Sequence, residues 1–314
     1  MKMLLQSYLF AWLFALGISL GSMANLMVLT LTGGRWALPL VPAWRAAARL
    51  TPWVAIAFVP IAVGVRVVYP WTATPGAWLN VPFFIGRAVA CLAVWSVLAW
   101  GYLRAREAAP RWSAAGLIVY TFTVSVAAFD WIASLMPGWF SSGFGLVVAT
   151  GQMLCAAAFA IAWAGFAARS FPGVEVRAHF QDMGNLLLMY VLTWMYLAYT
   201  QFLVIWSENI PREIQWYVPR LQTGWNALGV GIVALHFVLP FLILLSRAAK
   251  RSPVFLATIA AVLLAAHVAD VYWLVMPSVR PDGFSMAWTD PLALAVVVAA
   301  WTFGWRRSPE HAHG

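Results

Sequence analysis

Residues 129–144 read FDWIASLMPGWFSSGF, an aspartate set inside apolar sequence just ahead of a Pro-Gly pair that turns the chain back. An unpaired carboxylate in hydrocarbon costs several kcal/mol, roughly, so Asp130 must find a buried cation or stay protonated. The rest of the chain has to supply that partner.

Working outward, apolar sequence dominates. The chain has 314 residues, 63% hydrophobic and only 9% charged, which excludes an ordinary soluble enzyme and gives an all-α integral membrane protein. Nine segments are long enough, or nearly so, to cross a bilayer: roughly 5 to 31, 52 to 69, 82 to 103, 113 to 135, 141 to 168, 184 to 206, 223 to 246, 253 to 276 and 287 to 305. The ninth is the weakest, because Asp290-Pro291 reads as a helix cap and shortens it. Thr51-Pro52 and Ser252-Pro253 read as capping hydroxyls before a first-turn proline, Pro70 and Pro277 as helix ends, and Pro60 and Pro240 as kinks. No repeat or long linker divides the chain, so residues 1–314 form one bundle.

The net charge of +9 does not signal nucleic acid here, because the cations sit in short loops. One side holds Arg35, Arg45, Arg49, Arg104, Arg106, Arg111, Arg169, Arg177, Arg247, Lys250, Arg251, Arg306 and Arg307; the other holds Lys2, Arg212, Arg220 and Arg280. The positive-inside rule then places the N-terminus outside and the C-terminus in the cytoplasm. Lys2, the apolar run after it and Ser22-Met23-Ala24 also fit a cleavable leader, but cleavage would leave Arg35, Arg45 and Arg49 outside, so the first span is retained.

Two cations remain, Arg66 and Arg87, both inside spans. With Asp130 and Asp270 they fall in the outer third, and mutual pairing is the economical expectation. His267 lies three residues before Asp270, on the same helix face, and completes a candidate ionic cluster or proton path. Gln152, Tyr196, Tyr199, Gln201 and His236 are candidate linings of a polar cavity, with Glu208 and Glu213 at its outer rim. Trp206, Trp216 and Tyr217 read as an interfacial aromatic belt. Haem between His236 and His267 is the weaker reading, and Cys91 and Cys155 read as buried inert thiols. Phosphate loops, HExxH and clustered soft metal ligands are absent from the sequence.

Several motifs in order carry a family resemblance: LGISLGSMANLMVLTLTGGRW near the start, then FDWIASLMPGWFSSGFGLVVATGQ, then YTQFLVIWSENIPREIQWYVPR with Gly224-Trp225, then DVYWLVMP from Asp270 to Pro277. Over roughly residues 7 to 280 the chain resembles the second quinone-binding-type membrane subunit of alternative complex III, a quinol:cytochrome c oxidoreductase. The resemblance implies a helical bundle like those of NrfD and polysulfide reductase membrane subunits. It implies cytochrome and iron–sulfur partner subunits in a bacterial inner membrane, no cofactor held by the chain's own ligands, and a quinone-site-like cavity or proton path. Asp130, Gln201, Glu208 and Asp270 match the family's polar positions.

The chain departs from the pattern where the family has titratable residues, carrying Leu29 and Thr30, and Met136 and Gly138, instead. The family also has a further helix before Leu5 to Leu31, so a shortened chain is expected. An accessory or assembly protein of a respiratory oxidase is the alternative function. A proton or small-solute transporter is less favoured, since paired interrupted helices in two related halves are not found.

Overall fold

A computed structural model describes residues 1–33, 36–104, 110–167 and 174–309, without the side chains of 167 and 174–177. Arg35, Arg106 and Arg169, the side chain of Arg177 and the end of the expected span 141 to 168 lie outside the described residues. Among the described residues there is no strand, and eight helical stretches are long and apolar enough to cross a membrane.

α1 (Lys2–Thr32) is the hub. Its apolar window is 89% buried, against 22% for Ala178–Glu208, so α1 meets protein where the other meets lipid. Its small polar residues are spent on neighbours: Asn25 accepts from Tyr190 and donates to the Met153 carbonyl, and Ser19 accepts from the Trp301 indole. Gly21 permits the closest approach, since a Cβ there would overlap the Gln152 backbone.

The second crossing is broken into α2 (Val41–Arg49), α3 (Thr51–Ile56), α4 (Val59–Val63) and α5 (Val65–Val68). Pro60 lies in the first turn of α4, where its missing N–H costs little, so the break falls ahead of it at Ala57-Phe58 and the expected kink becomes a restart. Two α1 side chains take carbonyls near the break: Tyr8 donates to Ala57 O (2.6 Å) and Trp12 to Val54 O (2.8 Å). The expected Thr51 cap is not made: Thr51 is already helical and its buried hydroxyl has no partner.

α6 (Val81–Arg104) and α7 (Pro110–Trp131) lead to the return turn, and α8 (Phe144–Ala167) and α9 (Val174–Glu208) follow. Short α10 (Pro211–Ile214) and α11 (Val218–Leu221) fold over one end of the bundle. The next crossing is α12 (Trp225–Ile232), a π-helical turn at Val233–Val238, and α13 (Leu239–Leu244). The π turn directly precedes Pro240 and puts the distortion expected of that proline at His236.

After α14 (Arg247–Arg251), Ser252 caps α15 (Pro253–Val279) as the sequence predicts, its hydroxyl accepting from Phe255 N (3.4 Å). Pro277 does not end that helix; α15 runs two residues further. α16 (Thr289–Arg306) has 18 residues and falls short of the apolar character of the eight. Asp290 is not its N-cap, because Trp288 is. Cys91 and Cys155 are buried free thiols.

Candidate functional site

Asp130, at the end of α7, is buried and its partner is Arg87 on α6. Arg87 Nε donates to Oδ2 (2.6 Å) and Nη2 to Oδ1 (2.9 Å), while the Trp78 indole adds a third N–H to Oδ1 (3.2 Å). The guanidinium lies 4.2 Å from the centroids of both Trp78 and Phe83, and its remaining Nη1 donates to the Trp78 carbonyl (3.0 Å). Ser134 donates to the Asp130 backbone carbonyl and accepts from Trp71 (3.2 Å). This clamp fixes the return turn, where Gly138 at φ 86° offers its carbonyl to Arg212 Nε (2.6 Å).

Arg66 does not join it. Val65 and Val68 point inward and Arg66 outward on the same short helix, so the expected four-residue cluster is corrected to a pair. Depth along a span was shared; the angular position around it was not.

A second bidentate pair was read differently from sequence. Arg280, treated there as a loop charge, donates to both oxygens of buried Asp290 (2.7 and 2.9 Å). Ser7, Tyr272 and the Ala287 N–H donate to the same carboxylate (2.6, 2.8 and 2.8 Å), and the Asp290 carboxylate holds the Arg280 guanidinium above its ordinary pKa. Arg220, also read as a loop charge, is fully buried. It donates to the Trp216 and Leu274 carbonyls (2.7 and 2.8 Å) and to Ser278 (3.0 Å), with its plane 3.4 Å from the Trp216 ring centroid. Burial pushes its pKa well down. Nothing in the local sequence marked it, because the loop folds inward through Trp216, which stacks on Trp139 (4.1 Å, 15°). Trp216 and Tyr217 are therefore core, and only Trp206 stays exposed as the belt reading expects.

Asp270, His267 and His236 lie at or beside a cavity of about 560 Å³ between α9, α12 with its π turn, and α15. Of the five residues expected to line a polar cavity, Tyr199 and Gln201 are in the lining and His236 is not, and the walls are mostly apolar; Trp194, Tyr217, Asn226 and Trp273 join them unforeseen. Its mouth lies between α9 and α12, where the lining residues Tyr199, Val230 and Val238 are exposed. Gln201 Nε2 donates to Tyr217 OH (3.3 Å) while its buried Oε1 has no partner.

Asp270 forms part of the inner wall, with His267 Nδ1 at 3.6 Å from Oδ2, beyond hydrogen-bond length. His236 packs face to face on His267 (5.6 Å, 23°) and edge-on to Trp194 (4.3 Å, 88°). In this arrangement the two imidazoles face each other rather than turning their nitrogens toward a shared centre. Among the described residues, no three His, Cys, Asp or Glu side chains form a metal site.

The other expected lining residues lie elsewhere. Gln152 accepts from Tyr120 (2.9 Å) in the packing against α1, and Tyr196 is 68% exposed on the outer surface of α9. Glu208 is exposed; Glu213 contributes its backbone carbonyl to the Trp139 indole (3.0 Å), tying α10 to the return turn.

Fold and site together define a multi-pass helical membrane protein with a cavity between its spans. No family model matches the chain, and no curated protein matches it.

Proposed function

We propose that the chain is an integral membrane subunit of a respiratory quinol:electron-acceptor oxidoreductase of the alternative complex III type. In this reading it is NrfD-like and lies in a bacterial inner membrane with its N-terminus outside, α16 making a ninth crossing. Cytochrome and iron–sulfur partner subunits carry the electrons, and this chain contributes scaffold and a quinone-site-like cavity. The observation that supports it is the cavity itself, apolar toward its mouth and carrying Gln201, Asp270 and Trp273 on its walls. Purification in mild detergent tests the assignment: co-purifying cytochrome and iron–sulfur subunits support it, and their absence overturns it.

The accessory-protein reading draws support from Met136 and Gly138, which stand in place of titratable residues, Gly138 serving the return turn with its carbonyl held by Arg212. Association with an oxidase in the same purification would favour it.

A further inference from the structure

No other five-residue window of the chain carries three cations as Arg247-Ala248-Ala249-Lys250-Arg251 does. These residues form α14, which packs near the N-terminal end of α9, between the crossings that end with α13 and begin with α15. Inward-facing cations elsewhere are met from within: Arg87 and Arg280 each have a carboxylate, and Arg220 has three oxygen acceptors. Lys250 is buried with one, the Asn185 amide oxygen at 2.8 Å from Nζ, although an ammonium carries three N–H groups. Its stem lies against the α9 backbone because residue 184 is glycine; a Cβ there would stand 2.5 Å from Cγ. A buried charge with a single neutral acceptor lacks the counter-ion that normally offsets its desolvation.

Two more cations gather there. Arg251 Nε donates to Gln181 Oε1 (2.7 Å), while its two Nη groups have no partner among the described residues. Arg247 is exposed one turn earlier on the same face. Both acceptors on α9 are neutral amides, and among the described residues Asp182, which lies between them in sequence, forms no ion pair with the three cations. From Asn185 an exposed stripe continues along α9 through Met189, Leu192 and Tyr196 at helical spacing. Leu242 and Leu245 are exposed on the crossing that α14 follows. Positive charge thus stands at the head of an apolar surface.

We propose that this corner binds one anionic phospholipid, of the phosphatidylglycerol class, at the join of α9 and α14. Lys250 Nζ and the Arg251 Nη groups hold the phosphate oxygens, the guanidinium as a two-pronged donor and the ammonium as a point charge, with Arg247 adding to the field. An acyl chain lies along the α9 stripe. A zwitterionic headgroup fits worse, because its own ammonium would meet three like charges. An acidic protein segment fits worse too, since it would cover the cations and leave the apolar stripe below Asn185 untouched. Such a site operates whether or not the chain joins a respiratory complex.

Native mass spectrometry of the delipidated full chain, titrated in detergent with phosphatidylglycerol and with phosphatidylcholine of the same acyl chains, is the test. One phosphatidylglycerol is expected to bind about thirtyfold more tightly than phosphatidylcholine, two cations' worth of attraction at a membrane surface. Lys250→Met and Arg251→Gln should each cut that preference about fivefold. Arg251→Gln changes an exposed side chain and serves if Lys250→Met unfolds, while Arg104→Gln, at an exposed cation of α6, should leave the preference unchanged. Equal affinity for the two lipids, a preference that neither α14 variant lowers, or an equal loss on Arg104→Gln overturns the proposal. So does displacement of the lipid by glycerol 3-phosphate or a polyglutamate peptide at matched concentration, which would assign the cations to a soluble phosphate or to an acidic protein segment.

Discussion

The return-turn clamp and the α15 cavity both bury an aspartate within a span, yet they differ in what surrounds it. Around Asp130 both carboxylate oxygens and all three kinds of guanidinium nitrogen of Arg87 are taken up. Around Asp270, among the described residues, no Arg or Lys forms a salt bridge, the Trp194 indole supplies a hydrogen bond, and a histidine stands just beyond hydrogen-bond length. Saturation makes a joint; vacancy in the hydrogen-bond pattern makes a site. Burial alone, common to both, does not tell them apart.

The largest effect expected from this contrast is at the clamp. Arg87→Met strands a buried carboxylate and should destabilise the protein by about 3–5 kcal/mol in detergent thermal unfolding, enough to lose most folded yield. A near-native melt would break the comparison. The double variant Arg87→Met/Asp130→Leu should recover most of that loss, since apolar replacement of a whole buried pair is often neutral. Next comes Arg280→Met, which leaves Asp290 its three other donors and should cost about 1.5–3 kcal/mol by the same measurement. Asp270→Asn keeps an acceptor oxygen for the Trp194 indole and should shift stability by less than about 1 kcal/mol; a loss as large as at Arg87 would make it a structural residue. Arg66→Gln, on an outward face, should leave the melt unchanged.

The membrane class, eight of the nine spans and the need of Asp130 for a cation were legible because hydropathy and the cost of burying charge are local properties of sequence. Angular phase was not. Arg66 and Arg87 look alike in sequence, but the broken second span rotates one outward. The fate of loop charges was equally hidden, because whether Arg220 and Arg280 meet water depends on α11 and the 280–288 connection folding back onto α15. A small part of the cavity was readable, since an amide inside a span advertises itself as Gln201 does. Trp194 and Trp273 gave no such signal, because tryptophan is common at membrane interfaces and only their packing against Asp270 and the cavity distinguishes them.

The covering of α1 has a consequence for synthesis. Ser7 finds Asp290 283 positions later and Ser19 finds Trp301 282 positions later, so the hub enters the bilayer long before the helix that closes over it exists. Until α16 emerges from the ribosome, Ser7 and Ser19 lack these partners and Arg280 has no carboxylate. A chain interrupted after α15 therefore leaves Ser7, Ser19 and Arg280 without these contacts.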